Sequence, residues 1–410
     1  MTTTLRFVGR PFEGFERALE RQMDAFVEVT GRDVAFERDH RPLPELHEDL
    51  VEGDGLREYD LFLCLSDWLP AVAEAGKLEP LDGRLAEDPP ADWPRGWADS
   101  MRELVEWEGT TYGVPYHDGP ELFHYREDLF ESAAEQRRFR EEHGRPLTVP
   151  RTWTEFREVA DFFTRPEEDL WGSVVAAKPD GHNDVYDFLL HLWSRGGEVL
   201  DGDGAVAFDS EAGAEALRYY HDLIHEHGVV PPESVEMESV ESGQFYADGR
   251  AAMMWNWSGF GAMAESPDSA VFGRTNYGLI PRGDGPDGRH TSLTVLYGLT
   301  VPAASDHADL AYEFLRFVAS PEMDRVTTEA GASGTRLSTW RDPEVLRQNG
   351  FYSMVEEINT GEVNYLPRIP EYTDLNEALN EMVREAVVER SVDPETAVER
   401  AATEARDLLR

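Results

Sequence analysis

The sequence predicts an α/β fold, and three observations indicate it. Short apolar strand signals alternate with amphipathic helix patterns along almost the whole chain. Hydrophobic residues make up 40% of its 410 residues, which is enough for a well-packed core. There is no internal repeat, heptad array or low-complexity linker. A chain of this length is expected to form two or three domains.

The first predicted elements follow one another closely. Residues 5–8 are predicted to form a strand, 15–30 a helix, 34–37 a second strand and 59–65 a third. Near the other end, 306–318 is predicted to be a helix that Asp306 caps, because its apolar residues recur on one face. The same spacing recurs at 379–387. The last predicted helix starts at Asp393, with a proline in its first turn.

The charge of the chain excludes several classes of partner. It has 38 Lys and Arg against 82 Asp and Glu, a formal net charge of −44. Such a charge repels nucleic-acid phosphates and anionic lipid headgroups. The acids are spread over nearly every part of the sequence, which predicts an acidic coat on a folded body, not an acidic tail. We interpret this coat as the adaptation to high salt that is typical of halophiles; an acidic surface for a cationic partner is the alternative.

The lone cysteine and the amino terminus add two expectations. Cys64 lies in an apolar run, so it is expected in the core and not as a nucleophile, and no disulfide can form within the chain. The sequence enters a strand at once and shows no export signal or membrane-spanning stretch. The protein is therefore expected either to be placed outside the cell by a segment that this sequence lacks, or to be cytoplasmic if Met1 is the native start.

A colinear series of motifs resembles one protein family. It is similar, in family order, to the extracellular solute-binding proteins of carbohydrate ABC transporters, of the maltose-binding-protein type. The segments that carry the resemblance are YDLF (59–62) with DWL (67–69), AEAGKLEPLD (73–82), TYGVPY (111–116), YREDLF (125–130), PRTWTEF (150–156), VAFDS (206–210) with ALRYY (216–220), FYADGRAAM (245–253), and FLRF (314–317) with SPE (320–322). In YREDLF, Arg126 and Glu127 replace the Asn-Lys usual in the family.

The resemblance implies a two-lobed, periplasmic-binding-protein-like fold with a hinge of three crossings. One lobe is expected at 1–116 and 283–333 and the other at 117–282 and 334–410, with a ligand cleft between them. It further implies a monomer that closes around a carbohydrate and delivers it to the permease subunits of an ABC importer at the extracellular face of the membrane. No catalysis, cofactor or metal is expected.

Sugar recognition needs a particular set of side chains. Aromatic rings cover the C–H faces of a sugar, and Asp, Glu, Asn or Arg exchange paired hydrogen bonds with its hydroxyls. Several of the ten Trp stand beside polar residues at predicted strand ends, where an α/β cleft collects its ligand groups. With the positions that the resemblance implies, the candidate ligand-binding residues are Asp67, Trp68, Tyr116, Asp118, Asp184, Tyr186, Trp255, Asn256, Trp257, Tyr297 and Arg336.

Each of these candidates also has a structural interpretation. Asp67 could cap a helix whose first residue, Trp68, packs inside. Asp118 could stabilise a Gly- and Pro-rich turn, and Asp184 could be a helix N-terminal acid. Strand alternation sends the two Trp of 255–257 to one side and Asn256 to the other, either as a stacking platform or as a core pair. Tyr297 interrupts a buried run, and Arg336 could pair with surface acids.

Three other motifs are set aside. The G-x-G-x-x-A match at 259–264 is followed by a helix too short for a dinucleotide-binding crossover. His221, His225 and His227 lack the spacing of a zinc site, and a solvated helical face is expected. The turn at 201–204 lacks the later residues of a calcium loop. The alternatives to a transport receptor are a glycoside-active enzyme and a sugar sensor on the same fold.

Overall fold

The computed structural model describes residues 2–410, apart from the side chain of Glu362. They form two compact units. Unit 1 contains the chain up to Gly119 together with Thr294–Gln348 and Arg368–Tyr372. Unit 2 contains Pro120–Leu293, Asn349–Pro367 and Thr373–Arg410. No helix within 2–410 has both the length and the apolar character needed to cross a bilayer.

The strands and helices alternate along the chain as the sequence predicts. Up to Gly119 they are β1 (Thr3–Gly9), α1 (Glu13–Thr30), β2 (Val34–His40), α2 (Leu43–Leu46), β3 (Leu61–Leu65), α3 (Leu69–Glu74), α4 (Asp82–Glu87), α5 (Asp99–Glu103), β4 (Glu106–Trp107), β5 (Thr110–Thr111) and β6 (Gly113–His117). Up to Thr294 they are β7 (Glu121–Arg126), α6 (Glu127–Phe130), α7 (Ala133–His143), α8 (Trp153–Phe163), β8 (Trp171–Val174), α9 (Asn183–Ser194), α10 (Glu211–His225), α11 (Ser239–Ala247), β9 (Ala251–Trp257), α12 (Gly259–Ala264), β10 (Thr275–Gly278) and β11 (Ser292–Thr294). The remaining elements are β12 (Tyr297–Thr300), α13 (Ala308–Val318), α14 (Pro321–Glu329), α15 (Leu337–Trp340), α16 (Pro343–Gln348), α17 (Tyr352–Glu357), β13 (Val363–Tyr365), α18 (Tyr372–Val383) and α19 (Pro394–Leu408).

Unit 1 is built on a five-stranded mixed sheet of order β2-β1-β3-β12-β6. Strand β1 runs parallel to β2 and β3, whereas β12 runs antiparallel to β3 and β6. All five residues of β3 are buried, as expected of a strand covered on both faces. Helix α1 packs its apolar stripe against α13, where the rings of Phe26 and Phe314 lie 5.4 Å apart.

Unit 2 is built on a four-stranded sheet of order β10-β7-β9-β8. Strand β9 is antiparallel to β7 and parallel to β8. Strand β8 lies so close to α8 that a Cβ on Gly172 would be 2.0 Å from the carbonyl oxygen of Ala160. Helix α9 is buried along all twelve of its residues, yet it carries Asp184 and Asp187.

The helix starts test two sequence predictions. Asp393 caps α19 and accepts a hydrogen bond of 3.0 Å from the backbone N–H of Thr396, which confirms that prediction. The prediction for Asp306 is wrong, because α13 begins at Ala308 after His307, and no side chain caps it. The short helix expected after β9 is confirmed, since α12 has only six residues.

The boundaries of the two units differ from the predicted lobes at 117–119, 283–293, 334–348 and 368–372. Residues 283–293 belong to unit 2, and 334–348 belong to unit 1. By this division the chain changes unit five times, because Arg368–Tyr372 returns briefly to unit 1. The side chain of Arg336 explains the assignment of 334–348, since it donates to the carbonyl oxygen of Ala319 in unit 1. The predicted ligand cleft remains a prediction.

Cys64 lies in the middle of β3 and is buried, as the sequence predicts. Its Sγ–H contacts the carbonyl oxygen of Leu65. Burial, together with the nearby charge of Asp67, raises the pKa of the thiol well above its ordinary value. The thiol therefore stays protonated and unreactive at neutral pH.

Candidate functional site

Unit 2 brings three buried carboxyl groups together at the start of β7 and the start of α9. We call Glu121, Asp184 and Asp187 the acid cluster; all three are at most 2% exposed. Glu121 is the first residue of β7 and lies opposite Trp257 of β9. Asp184 and Asp187 are three residues apart on α9, so they share a face of the helix.

Two amide and indole groups reach the acid cluster. Nδ2 of Asn183 donates to Oε1 of Glu121 at 3.3 Å, and Oδ1 of Asn183 accepts from Nε1 of Trp257 at 3.3 Å. Nε1 of Trp255 donates to Oδ1 of Asp187 at 2.7 Å. Asn183 thus links the acid of β7 to the aromatic end of β9.

Four oxygen atoms of the acid cluster accept no well-aligned hydrogen bond from the protein, although the backbone N–H groups of Val185 and His182 lie near Asp184 and the hydroxyl of Tyr220 lies near Asp187. They are Oε2 of Glu121, both carboxyl oxygens of Asp184 and Oδ2 of Asp187. Native proteins leave few buried polar atoms in this state, because each costs on the order of 1–3 kcal/mol. Such acceptors suit a ligand that brings its own donors.

Burial controls the ionisation of the cluster. It raises the pKa of Asp184 to about 7, with the charge of Asp180 adding to the shift and the backbone N–H groups of Val185 and His182 opposing it. Burial also raises the pKa of Glu121 well above its ordinary value, and the charge of Asp187 acts in the same direction. The pKa of Asp187 is raised by burial too, although Trp255 opposes the shift. Perturbed acids of this kind gather at functional sites.

The two Trp of β9 have different surroundings. Trp257 is partly exposed, and its ring meets Tyr186 edge to face at 5.9 Å. Trp255 is buried against Trp153 and Phe156, with ring centroids 5.3 and 5.5 Å away. Both rings point toward α9, which confirms the alternation. The stacking surface expected from both rings can come only from Trp257, because Trp255 fills the core of unit 2.

Asn256 points the other way, also as alternation predicts. Its Nδ2 donates to the carbonyl oxygen of Ser239 and to Oγ of Ser242, both at 3.0 Å, and its Oδ1 accepts from the backbone of Trp257 at 2.8 Å. The residue is buried against α11. Its side-chain amide is already hydrogen-bonded within unit 2, so the structure gives no support to the prediction of a ligand contact.

In unit 1, four polar side chains meet at one edge of the sheet. Asp67 follows β3, His117 ends β6, Tyr297 starts β12 and Arg10 follows β1. Nη1 of Arg10 donates to the hydroxyl of Tyr297 at 2.9 Å. The rings of His117 and Tyr297 lie 5.6 Å apart. The chain therefore brings the predicted residues Asp67 and Tyr297 to one edge, with Arg10 and His117 beside them.

Burial determines the charge states of His117 and Tyr297 at this edge. Nδ1 of His117 accepts from the backbone N–H of Ser333 at 2.8 Å, and burial lowers the pKa of His117 to about 3. The imidazole is therefore neutral at physiological pH. Burial raises the pKa of Tyr297, while Arg10 opposes the shift and Asp67 adds to it.

Trp68, Tyr116 and Asp118 are buried in unit 1. Trp68 meets His47 edge to face at 5.4 Å, and it occupies the N-cap position of α3 without a side-chain cap. The hydroxyl of Tyr116 donates to Oε1 of Gln22 at 3.0 Å. Oδ1 of Asp118 accepts from the hydroxyl of Thr294. Packing and turn stabilisation explain these three residues, and their ligand contacts stay predictions.

The structure corrects the role predicted for Arg336. Its side chain is 1% exposed and lies in the interior of unit 1. Nη1 donates to the carbonyl oxygens of Ala319 and Ala91 at 2.7 and 3.0 Å, and the guanidinium stacks 4.2 Å from the ring of Trp97. These contacts show that Arg336 stabilises the interior of unit 1. They do not leave its guanidinium available for the hydroxyls of a ligand, and a surface acid is only one of its partners.

Sequence reasoning found part of the unit 2 cluster and missed the rest. It identified Asp184, Tyr186 and Trp257, which the fold brings together, and it missed Glu121, Asn183 and Asp187. The missed acids carried a usable signal, since each interrupts an otherwise apolar element, β7 or α9. Asn183 carried none, because an asparagine at a helix start is common in any fold.

No group of three or more His, Cys, Asp or Glu in residues 2–410 has the arrangement of a metal site. The rings of His221 and His225 do share a face of α10, 5.0 Å apart. The sequence predicts a solvated face here. Nε2 of His225 contacts the carbonyl oxygen of Val387 at 2.6 Å, so part of this face is packed against the protein instead.

Comparison with known proteins places this geometry in a family. Residues 17–325 match the model of the bacterial extracellular solute-binding proteins. The arabinooligosaccharide-binding protein of Halalkalibacterium halodurans is 23% identical over 261 residues. That match covers 62% of this chain and 54% of the relative, so the chain spans about half of the relative's length.

Two solved structures share the fold of the whole chain. Maltose-bound MalE3 of T. maritima superposes with a TM-score of 0.85 at 23% identity, covering 100% of both chains. A solute-binding protein of an ABC transporter from Agrobacterium radiobacter, in complex with ribitol, has a TM-score of 0.83 at 24% identity and covers 100% of this chain and 98% of its own. The fold is thus the two-lobed, α/β fold of periplasmic binding proteins, and with the family model matching three quarters of its length, the chain belongs to the bacterial extracellular solute-binding protein family.

Proposed function

We propose that the protein binds a carbohydrate, either a mono- or an oligosaccharide or the related polyol, and delivers it to an ABC-type importer. The acid cluster of unit 2 carries this proposal. Four of its oxygen atoms that accept no well-aligned hydrogen bond from the protein are buried beside Trp257 and Tyr186. A sugar supplies what such a site lacks, because its hydroxyls donate to carboxyl oxygens while its C–H face covers an indole ring.

The edge of the unit 1 sheet is a second, separate candidate for contact with a solute. Arg10 and Tyr297 offer a donor and an aromatic ring there, and Asp67 follows the neighbouring strand. We propose that the protein acts as a monomer without catalysis or cofactor. Its partners are the carbohydrate and the permease subunits, and it works at the outer face of the cell membrane.

The proposed function agrees with what several of the related proteins are said to bind. Their names and titles mention arabinooligosaccharides, mannitol, maltose and ribitol. These ligands share neighbouring hydroxyl groups on a carbon chain or ring, so the polyhydroxylated character is the property that we carry over.

Titration calorimetry in molar potassium chloride tests the proposal. The panel contains monosaccharides, α- and β-linked oligosaccharides and sugar alcohols, with amino acids as the contrasting class. We expect at least one carbohydrate or polyol to bind with 1:1 stoichiometry and to be recovered intact after long incubation. Binding of amino acids alone contradicts the proposal, and cleavage of a bound glycoside would favour the enzyme.

A pair of tryptophan variants ties the binding to the site. Trp257→Ala is expected to weaken binding at least about tenfold, or about 1.4 kcal/mol, because the ring that covers the sugar is lost. Trp107→Ala is the matched control, since Trp107 is a similarly half-exposed indole on β4 of unit 1. Equal effects of the two substitutions argue against the proposed position of the sugar.

A further inference from the structure

The acid cluster has almost no basic group to balance it. Within residues 2–410, the strongest electrostatic influences on its three carboxyl groups come from one another, from Asp180 and from His182. His182 is the one basic side chain among these influences. Nδ1 of His182 lies 3.3 Å from Asp180, and the ring is 48% exposed, so it already has a partner outside the cluster.

Among the described residues, the side chains that α9, α10 and β9 place near the cluster add no further cation. Helix α9 contributes His191, a buried imidazole whose pKa is lowered well below its ordinary value by burial and by Arg195. Helix α10 contributes Tyr220, and burial and the nearby acids raise its pKa well above its ordinary value. Strand β9 contributes the indole rings of Trp255 and Trp257. All three neighbours are therefore uncharged at neutral pH.

Such a cluster costs free energy unless a proton or a cation joins it. A buried carboxylate without a partner costs several kcal/mol, so the empty cluster holds protons. A neutral polyol can bond to these oxygens but brings no charge that would let the acids release their protons. An ammonium group has three N–H donors and one positive charge, so it can bond to several of the four oxygen atoms and stabilise a carboxylate in place of a proton.

The arrangement also distinguishes an organic cation from a metal ion. No trio of acids within residues 2–410 has the close arrangement that a metal ion needs. Trp257 and Tyr186 line the same place, and aromatic faces attract ammonium groups as well as C–H bonds.

We propose that the natural solute carries an amine, as in an amino sugar or an amino-substituted polyol, and that its ammonium group binds among Glu121, Asp184 and Asp187. This inference rests on the proposed function, because it assumes that the acid cluster is the solute site. It goes further by naming the chemical class of the solute.

Matched pairs of compounds test the inference by calorimetry. The pairs are glucosamine with glucose and 1-amino-1-deoxysorbitol with sorbitol, each differing by an ammonium group in place of a hydroxyl. In wild type we expect at least one amine to bind about tenfold more tightly than its neutral partner, as a charge-assisted hydrogen bond provides. Neutral members that bind as tightly as the amines would overturn the inference.

Variants show whether the preference comes from the cluster. In Asp184→Asn and in Glu121→Gln the ratio of the two affinities should fall to within about twofold, because each removes a charge that pairs with the ammonium group. Asp203→Asn is the control, since it removes one charge from an exposed turn of unit 2 and should keep the wild-type ratio. A ratio that survives in both cluster variants, or falls equally in the control, overturns the inference.

The two proposals fail in different ways. If a carbohydrate of the wider panel binds but neither amine binds, the inference about the amine is rejected and the proposed function stands. If no carbohydrate, polyol or amine binds at all, both are rejected. Thermal unfolding of each variant confirms that a lost preference does not come from lost folding.

Discussion

Asp184 shows how one residue can link the site to stability. The folded chain keeps the Asp184 proton up to about pH 7, whereas an unfolded chain releases it near the ordinary pKa of 3.8. Between these pH values the folded state binds more protons than the unfolded state. Its contribution to the free energy of unfolding therefore falls as the pH rises through this range.

Asp184→Asn should remove this contribution. At pH 8 we expect the variant to unfold with a free energy higher than wild type by on the order of 2–4 kcal/mol, because a neutral amide replaces a buried charge. At pH 4 the two proteins should be equally stable. Urea unfolding at both pH values in molar salt measures the difference, and a difference independent of pH contradicts the assignment.

Trp255, unlike Asp184, is expected to contribute to the stability of the fold and not to solute binding. It packs on Trp153 and Phe156, and it donates to Asp187. Trp255→Ala should lower the free energy of unfolding by about 3–5 kcal/mol, because it leaves a large cavity and removes a donor. Trp257→Ala should cost less stability while it lowers solute affinity; denaturant unfolding compares the two variants. Similar losses of stability would contradict the different burial of the two rings.

At the scale of the elements, a close approach fixes the position of β8. Gly172 lies where a Cβ would meet the carbonyl oxygen of Ala160 on α8 at 2.0 Å. Strand β8 pairs with β9, which carries Trp257 into the acid cluster. The spacing between β8 and α8 therefore helps to place the site.

Gly172→Ala should destabilise unit 2 by about 1–3 kcal/mol, because the backbone of α8 must move to admit a methyl group. The control is Gly83→Ala in α4, where a Cβ meets nothing within 4 Å and alanine favours the helix. Thermal unfolding should show the two substitutions acting in opposite directions. A neutral Gly172→Ala variant would show that the approach is looser than described.

The elements were more predictable from sequence than the contacts between them. Alternation in β9 gave the sides of Trp255, Asn256 and Trp257 correctly, because it depends only on neighbouring residues. It could not give which ring is covered, since Trp255 is buried by α8 and α9 from distant parts of the sequence. The buried surroundings of Arg336 could not be predicted for the same reason. Its partners at 91, 97 and 319 become neighbours only in the folded chain.

At the scale of the whole molecule, the net charge of −44 is the dominant property. All but Lys77 and Lys178 of its 38 basic residues are arginine, and most of their ion pairs are exposed. Exposed pairs contribute about 0–1 kcal/mol each, so they do not offset the repulsion among the excess acids. Salt is needed to screen it.

The melting temperature should therefore rise on the order of 10 °C between 0.1 and 2 M potassium chloride, as the Debye length falls to a few ångströms. Differential scanning calorimetry measures it. Sucrose is the control, because it strengthens burial without screening charge. An equal rise in sucrose, or none in salt, contradicts the interpretation of the acidic coat as an adaptation to salt.

The buried thiol of β3 makes the chain its own unfolding reporter. Cys64 sits between β1 and β12 in the five-stranded sheet, and a chromogenic disulfide reagent can reach it only when those strands separate. The rate of colour formation thus counts how often unit 1 opens, without any engineered label. A saturating solute should slow that rate if binding stabilises unit 1, and a second cysteine introduced on the surface would give a single rapidly reacting position for a dye.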